Sequence, residues 1–450
     1  MTTDAAIVRI DATGIDNPLI GKHVSRDKFE RCLPAGINVN DFALNMDLAG
    51  TPQLGWWAGW RGHGLIDIYL QPDVTTLTPM PGVPDMAWCL GRFTDVGGTP
   101  IPVCPRSLLE RQVQQLAHAG YEARCAFEIE FFLFDERVDA IRRKRYHGLN
   151  PVGGPSPKLG YMTQKAPEFR PFLANVAAAL DEVGIPWEAF TDEAAPGQFE
   201  LNIAPADPVT AADRAVRAKQ VLREVAYANG LTVTFMPRPF ADLPYGSGLH
   251  VHLSLQRDNS PAFVDATTQQ PTPVMRHWIG GWLATVAGAT SLLTPTVNSF
   301  RRQVDFVAAP TTPTWGEENK AAAIRTITRS ASLGRVEHRV AAADANPYLV
   351  LATLIAGGLA GIDESIDPPP EVVGLPWGLP ADRPRLPHSL TTAAEALAAD
   401  ERLTKPLGDE FVEHWIESRK WEWLMFHTTG GDPDATGATD WELTRYFEWV

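Results

Sequence analysis

A chain of 450 residues has room for one large domain or, more readily, two or three. Hydrophobic residues make up 44% and charged residues 21%, the balance of a folded globular protein rather than a disordered one. Lys and Arg number 39 against 54 Asp and Glu, and the net charge of −15 argues against a general nucleic-acid binder while leaving room for a local basic site. The four cysteines, Cys32, Cys89, Cys104 and Cys125, show no CxxC spacing and are too sparse for a disulfide scaffold, which points to reduced thiols in a cytoplasmic protein. The opening stretch MTTDAAIVRIDATG has no basic region leading into an apolar one, so no secretion signal is expected.

From Ala5 to about Met80 the chain reads as short β-like pieces broken by Gly and Pro, among them IVRIDATG and GLIDIYLQP. The turn-rich GRFTDVGGTPIPVCP then places a domain boundary near residues 97–105. An amphipathic helix follows over Ser107–Ala119, with further helices over Phe169–Val183, Thr210–Ala228, Met275–Leu293, Pro347–Ile362 and Glu410–Phe426. The longest apolar run, Tyr348 to Ile362, is too short and too Gly-rich to span a membrane and reads as a buried helix. Pro368 to Pro387 is expected to be an extended, irregular surface segment, and no internal repeat is visible.

Four expected strands separate apolar from reactive residues, because side chains alternate along a strand. In AFEIEFFLF, Phe127, Ile129, Phe131 and Leu133 point one way and Glu128 and Glu130 the other. In GQFELNI, Phe199, Leu201 and Ile203 oppose Glu200 and Asn202. In GLHVHLSL, Leu249, Val251, Leu253 and Leu255 oppose His250, His252 and Ser254, and in GRVEHRV the residues Arg335, Glu337 and Arg339 share a face. One such strand alone is the ordinary half-buried strand with a solvated face. Four together carry Glu, His and Arg where Lys, Thr and Ser are usual. Aligned in one sheet, Glu128, Glu130, Glu200 and Glu337 would repel one another without a counter-charge. Divalent cations supply that charge, and the arginines point to phosphate or carboxylate nearby. A carboxylate-rich set with an imidazole suits Mg²⁺ or Mn²⁺ better than zinc. No Walker A loop is present, since Gly14…Gly21-Lys22-His23 has the wrong spacing, and neither GxSxG nor HExxH occurs.

The stretches EIEFFLF, EAAPGQFELN, MPRPF…GSGLHVHLSL, NSFRRQV…AAP, NKAAAIR and GRVEHRVAAADANPYL, in this order and at these spacings, resemble glutamine synthetase. The resemblance is strongest from Pro105 to about Arg445 and loose before residue 100. It implies an α+β protein: a small N-terminal β-grasp domain over residues 1–100 and a catalytic domain over residues 101–450, whose curved antiparallel sheet forms a funnel. It further implies a homo-oligomeric ring, commonly two stacked hexamers forming a dodecamer, with active sites between adjacent subunits; charge, cysteine usage and the short apolar run separately point to a cytoplasmic protein with no nucleic-acid or membrane partner. ATP enters one end of the funnel and glutamate the other. ATP phosphorylates the glutamate side chain, and a nitrogen nucleophile then displaces phosphate.

Carried over by motif position, Glu130, Glu193 and Glu200 resemble ligands of the metal nearer glutamate, and Glu128, His250 and Glu337 those of the metal that holds ATP phosphates. Two or more Mg²⁺ or Mn²⁺ ions per site are implied, with ATP as co-substrate. Glu188, His252, Ser254 and Lys320 fall where the family contacts ATP. Arg302 and Arg339 match arginines that hold glutamate, with Gly246 allowing close backbone approach. Arg325 matches an arginine at the transferring phosphate and, with Arg339 and Glu337, makes up the expected catalytic group. Metals and arginines together would neutralise charge as the phosphoryl group moves.

The chain departs from the resemblance where ammonia-using members bind and deprotonate ammonium. The flap stretch RLVPGxEAP reads RQVDFVAAP here, with Ala308 at the acidic position, and the acidic N-terminal loop is replaced by GTPQLGWWAGW. An ammonium site without these carboxylates loses both Coulomb attraction and base. Trp56, Trp57 and Trp60 stand there instead. They read equally as core or subunit-interface residues and as an apolar or cation–π pocket for an organic amine. Lys320 replaces an Arg, which makes its phosphate contact monodentate, and Tyr245 replaces an Asn beside the glutamate site. This pattern is similar to γ-glutamylamide synthetases, which use a small organic amine such as putrescine, ethanolamine, methylamine, isopropylamine or aniline. Three alternatives stand beside it: an ammonia-dependent glutamine synthetase, a catalytically inactive structural or regulatory ring homologue, and a ligase for an acid other than glutamate. The complete set of ligand positions counts against the second, and the retained Arg302 and Arg339 against the third.

Overall fold

Period-two alternation in the sequence builds two sheets, and both are seen in the computed structural model, which describes residues 4–53, 64–307, 309–378 and 384–450 apart from the side chain of Lys165. Strands β1 (Ile7–Thr13), β2 (Leu19–Ser25), β3 (Ile37–Asn40), β4 (Asp67–Pro72), β5 (Thr78–Pro79) and β6 (Met86–Thr94) make the first, in the order β2-β1-β6-β4-β3, with β5 added beside β6. The pair β1–β6 is parallel and the other pairings are antiparallel. Its core holds Val8, Ile10, Ile37, Leu70 and Phe93, closed by Phe29 and Cys32 of the helix Arg26–Cys32.

The second sheet contains β7 (Glu122–Phe134), β8 (Trp187–Asp192), β9 (Gln198–Ile203), β10 (Thr232–Thr234), β11 (Leu249–Arg257), β12 (Ser260–Pro261), β13 (Trp315–Glu317), β14 (Ile324–Ile327) and β15 (Arg335–His338). Its order is β13-β14-β15-β11-β7-β9-β8, with β10 beside β7 and β12 beside β11. All pairings are antiparallel except β13–β14. The architecture is α+β, with large sheets flanked by helices, as the sequence led one to expect. Phe127, Ile129 and Phe131 of β7, with Leu249, Val251 and Leu253 of β11, form the buried face. Helices Pro105–His118, Ala166–Glu182, Pro208–Ala228, Pro273–Leu293 and Pro347–Asp363 contribute to the same core.

Three of these helices begin two residues earlier than the periodicity suggests. Pro105, Pro208 and Pro273 occupy the first turn, where a missing N–H costs nothing, and Asp207 and Thr272 cap the latter two with side-chain oxygens. The glycines of the apolar run have a packing cause. A Cβ on Gly281 would lie 2.2 Å from the carbonyl oxygen of Gly357 and 2.6 Å from the backbone of Gly361, so helices Pro273–Leu293 and Pro347–Asp363 touch backbone to backbone. Among the described residues no helix is long and apolar enough to cross a membrane. The segment 368–387 has neither helix nor strand among its described residues.

Buried charges join the first sheet and its loops to the helices of the larger part of the chain. Arg106 reaches Asp73 at 2.7 Å and Asp213 at 3.0 Å, while Arg217 donates to Thr78 Oγ1 and to the Trp88 carbonyl, each at 3.1 Å. Arg445 binds Asp47 at 2.8 Å and Glu422 at 2.7 Å, tying the chain's last helix to the loop after β3. Losing one partner of such a pair would strand the other charge in a dry environment, at a cost of roughly 3–5 kcal/mol.

Candidate active site

Strand register brings the reactive residues together. Glu128 on β7 stands opposite His250 on β11 and Asn202 on β9, and Glu130 stands opposite Glu200. His252 faces Glu337 on β15, and Glu337 faces Arg325 on β14. Because the apolar neighbours of every one of these residues point into the core, the sheet's other face collects the carboxylates, imidazoles and guanidiniums.

Two imidazoles converge on one carboxylate. His250 Nδ1 lies 3.1 Å from Glu128 Oε2, and His252 Nε2 lies 2.8 Å from Glu128 Oε1. Each ring is held from behind by an arginine: Arg302 Nη2 is 3.2 Å from His250 Nε2, and Arg335 Nε is 3.2 Å from His252 Nδ1. A guanidinium only donates, so the inner nitrogens accept and the outer ones carry the protons offered to Glu128. Burial works against charge on Glu128, but these hydrogen bonds outweigh it and hold the carboxyl well below the usual range. Glu337 is fully buried. Burial opposes its charge too, yet Arg339 beside it, helped by His252 and His250, brings it down to about 2. Its second oxygen accepts from Arg325 Nη1 at 3.1 Å, and Arg325 turns its other edge to Glu318.

The remaining carboxylates behave oppositely. Burial, then repulsion from Glu128 and Glu130, pushes Glu200 up to about 9; burial, then Glu130, pushes Glu193 up to about 7, with nearby Lys320 pulling the other way. Mutual repulsion of this kind is relieved by a proton or by a cation. Potential ligand atoms of Glu128, His252 and Glu337 lie within 4.8 Å of one another, as do those of Glu128, Glu200 and His250. These trios cut across the sequence-based partition into Glu130–Glu193–Glu200 and Glu128–His250–Glu337, and both use Glu128. A set of oxygens with one imidazole in each trio fits Mg²⁺ or Mn²⁺.

A pH dependence follows. Through Glu193 and Glu200, whose carboxyl pKa values are raised, the folded state holds protons that the unfolded state has lost between about pH 4.5 and pH 9, so the contribution of these two groups to stability falls as pH rises through that window. A divalent ion takes the place of those protons and binds more tightly as pH rises. The gain in melting temperature on adding Mg²⁺ or Mn²⁺ is therefore expected to be larger at about pH 8.5 than at about pH 6. A gain that does not change with pH would contradict this electrostatic picture.

A cavity of about 490 Å³ opens beside the cluster, lined by Glu128, Glu188, Asn202, His252, Ser254 and Arg335 among others. Glu188, His252 and Ser254 are the residues expected at the nucleotide; Asn202 and Arg335 join them from the polar faces of their strands. Arg302 is buried, and its Nη1 donates to the Val340 carbonyl at 3.2 Å, while burial lowers its pKa to about 10, still cationic at neutral pH. Gly246 packs on the Arg302 stem, where a Cβ would come within 3.0 Å. Gly248 is tighter still: a Cβ there would sit 2.5 Å from Arg302 Nη2 and 2.8 Å from His250 Nε2. Its N–H donates to Glu130 Oε2 at 2.8 Å, and buried Gln198 holds the same oxygen at 3.2 Å. The spacing GSGLH contained the first signal; nothing local marked Gln198.

Trp56, Trp57, Trp60 and Ala308 lie outside the described residues. The flap has a second departure at Phe306. Phe306 stands where RLVPGxEAP has its Gly, and it adopts φ 67°, a left-handed conformation that costs a bulky residue roughly 1–3 kcal/mol. Its ring, 66% exposed, packs against Trp377 with centroids 5.8 Å apart.

The sequence pattern of the glutamine synthetase catalytic domain matches residues 102–446. The chain belongs to the glutamine synthetase family. Family members similar to it include type-1 glutamine synthetase 2 of Dictyostelium discoideum, 29% identical over 446 residues covering 98% of this chain and 83% of the relative. Glutamate–isopropylamine ligase of Pseudomonas sp. is 30% identical over 453 residues, covering 98% of this chain and 95% of the ligase. Among solved structures, apo GmaS without ligand superposes with a TM-score of 0.81 at 26% identity, covering 97% of this chain and 96% of GmaS.

Proposed function

We propose that this family member is an ATP-dependent ligase joining the side-chain carboxylate of glutamate to an organic amine, with γ-glutamyl phosphate between, to give a γ-glutamyl amide, ADP and phosphate. The observation that carries the reading is one sheet face gathering Glu128, Glu130, Glu200, His250, His252 and Glu337 beside Arg325 and Arg339, in a chain whose flap has Ala308 at the acidic position. Similarity along nearly its whole length to a glutamate–isopropylamine ligase supports the choice of an organic amine.

Glu128, Glu130, Glu193, Glu200, His250 and Glu337 would hold the Mg²⁺ or Mn²⁺ ions, which when bound supply positive charge against the phosphates. Glu188, His252, Ser254 and Lys320 serve the nucleotide. Arg302 and Arg339 hold glutamate, with Gly246 leaving room for its backbone contacts, and Arg325 faces the moving phosphoryl group. The carboxylate oxygen of glutamate attacks the γ-phosphorus and ADP leaves. The amine nitrogen then attacks the acyl carbon, phosphate leaves, and the nitrogen loses a proton. Arg325 and Arg339 are already oriented by Glu337, so stabilising charge in that step requires little reorganisation.

On this reading residues 1–100 form the N-terminal β-grasp domain and residues 101–450 the catalytic domain, and the N-terminal domain of one subunit completes the active site of its neighbour. A cytoplasmic ring, a dodecamer, is the proposed assembly. Light scattering is expected to give a large ring mass, and a fully active monomer would refute the shared site. The reaction itself is tested by phosphate release with glutamate, ATP and Mg²⁺ across a panel of amines. Release that depends on glutamate but on no amine, or only on ammonium, would overturn the proposal.

A further inference from the structure

The flap is anchored at one foot in the catalytic cluster and at the other beside the strand that carries Arg325. It leaves from Arg302, whose guanidinium touches His250, and the chain returns through the Thr314 carbonyl, which accepts the N–H of Ile324 one residue before Arg325. Its tip is stitched to the irregular segment that follows residue 368. Trp377 Nε1 donates to the Ala309 carbonyl at 3.3 Å, Arg385 binds Asp305 at 2.9 Å, and the Leu386 N–H donates to the Thr311 carbonyl at 3.0 Å. Trp377 thus bonds the residue just after position 308 and packs on the ring of the residue two before it. Gly378, at φ 66°, leaves the space: a Cβ there would come 3.3 Å from the Phe306 ring.

A strained aromatic at a position whose backbone favours glycine, exposed yet backed by a tryptophan, asks for a role outside the fold's own stability. An apolar ring pair offers ammonium, which has no carbon surface to bury, a cation–π face but no base. It suits a carbon body attached to nitrogen, by apolar contact for an aryl or branched alkyl group and by the ring faces for a protonated head. We propose that Phe306 and Trp377 form the wall that recognises the carbon body of the amine substrate, and that they favour branched alkyl or aryl monoamines over smaller ones. This rests on the glutamate–amine ligase reading and deepens it.

The test is the ratio of kcat/KM for isopropylamine and for aniline to that for methylamine, in the full-length assembled enzyme. Phe306→Gly removes the ring and relaxes the left-handed backbone, so its melting temperature is expected to match or exceed wild type. Its selectivity ratio is expected to fall at least about tenfold, as loss of one contact in an apolar pocket commonly costs 10–200-fold. Trp377→Ala is expected to lower the ratio likewise, and Trp377→Phe, which keeps a ring, to restore most of it. An unchanged ratio, or an equal loss for every nitrogen substrate with a lowered melting temperature, would overturn the wall. The wild-type panel separates the two levels of inference: if ammonium outperforms every organic amine, the ligase reading fails; if organic amines win but the ratios do not move, only the wall fails.

Discussion

Glu337→Gln is expected to lower turnover roughly 100- to 1,000-fold at saturating ATP, glutamate and amine, in line with the loss of one preorganised charge at a phosphoryl-transfer site. Three facts concentrate the effect at this residue. Glu337 is fully buried, it orients Arg325 and Arg339 at once, and its oxygen lies 3.8 Å from His250 Nδ1. Glutamine keeps the volume and one acceptor oxygen but removes the charge that binds both arginines and a divalent ion. Alanine would be a poorer probe, because breaking a buried pair on one side costs about 3–5 kcal/mol of stability and confounds folding with catalysis. The checks are initial rate, melting temperature and the metal concentration for half-maximal activity. Activity within about threefold of wild type in a folded Glu337→Gln protein, at ordinary metal concentrations, would remove Glu337 from the catalytic group.

Much of this site was readable before any fold. Alternation along AFEIEFFLF and GLHVHLSL separates core from chemistry because strand geometry imposes it whatever the tertiary context. Register is different. That Glu128 faces His250 while Glu130 faces Glu200 is set by pairings between segments some 70 to 120 residues apart, which no local pattern encodes. Hence the sequence marks Glu128, Glu200, His250 and Glu337 as ligand candidates, and the side chains group them, together with His252, expected only at ATP, in trios that share Glu128. Gln198 carries no local signal and Arg335 reads only as a member of a polar face for the same reason, as their importance lies in what stands across from them: Glu130 and His252. The helices Leu390–Ala398, Glu401–Leu407 and Asp440–Tyr446 were missed although Ser389, Asp400 and Thr439 cap them, because each is short and its apolar period barely repeats. Phe306 carries a sequence signal, a phenylalanine in place of a glycine, whose meaning requires a backbone angle.

An organic monoamine with an apolar body is expected to exceed ammonium by well over about tenfold in kcat/KM, a difference of more than about 1.4 kcal/mol in transition-state binding. Ammonium is charged at neutral pH, and a ligase must attract it, strip a proton and then use the lone pair. Ala308 offers neither charge nor base, and the stretch GTPQLGWWAGW carries no carboxylate. An amine with a carbon body has another source of binding: at roughly 25 cal/mol per Å² of apolar surface removed from water, burying a few carbons offsets a missing ion pair of that size. An arylamine gains further, since it arrives neutral and attacks without prior deprotonation. Ala308→Glu is expected to recover part of the ammonium activity while weakening use of the bulkier amines, because it returns a carboxylate to the acidic position of the flap stretch, two residues along the chain from Phe306. Rates against concentration for ammonium, methylamine, isopropylamine, ethanolamine, putrescine and aniline, with glutamine and the γ-glutamyl amides quantified directly, decide the matter. If ammonium equals or exceeds every amine, the protein is an ammonia-dependent glutamine synthetase that finds its base elsewhere, and the weight placed on Ala308 is misplaced.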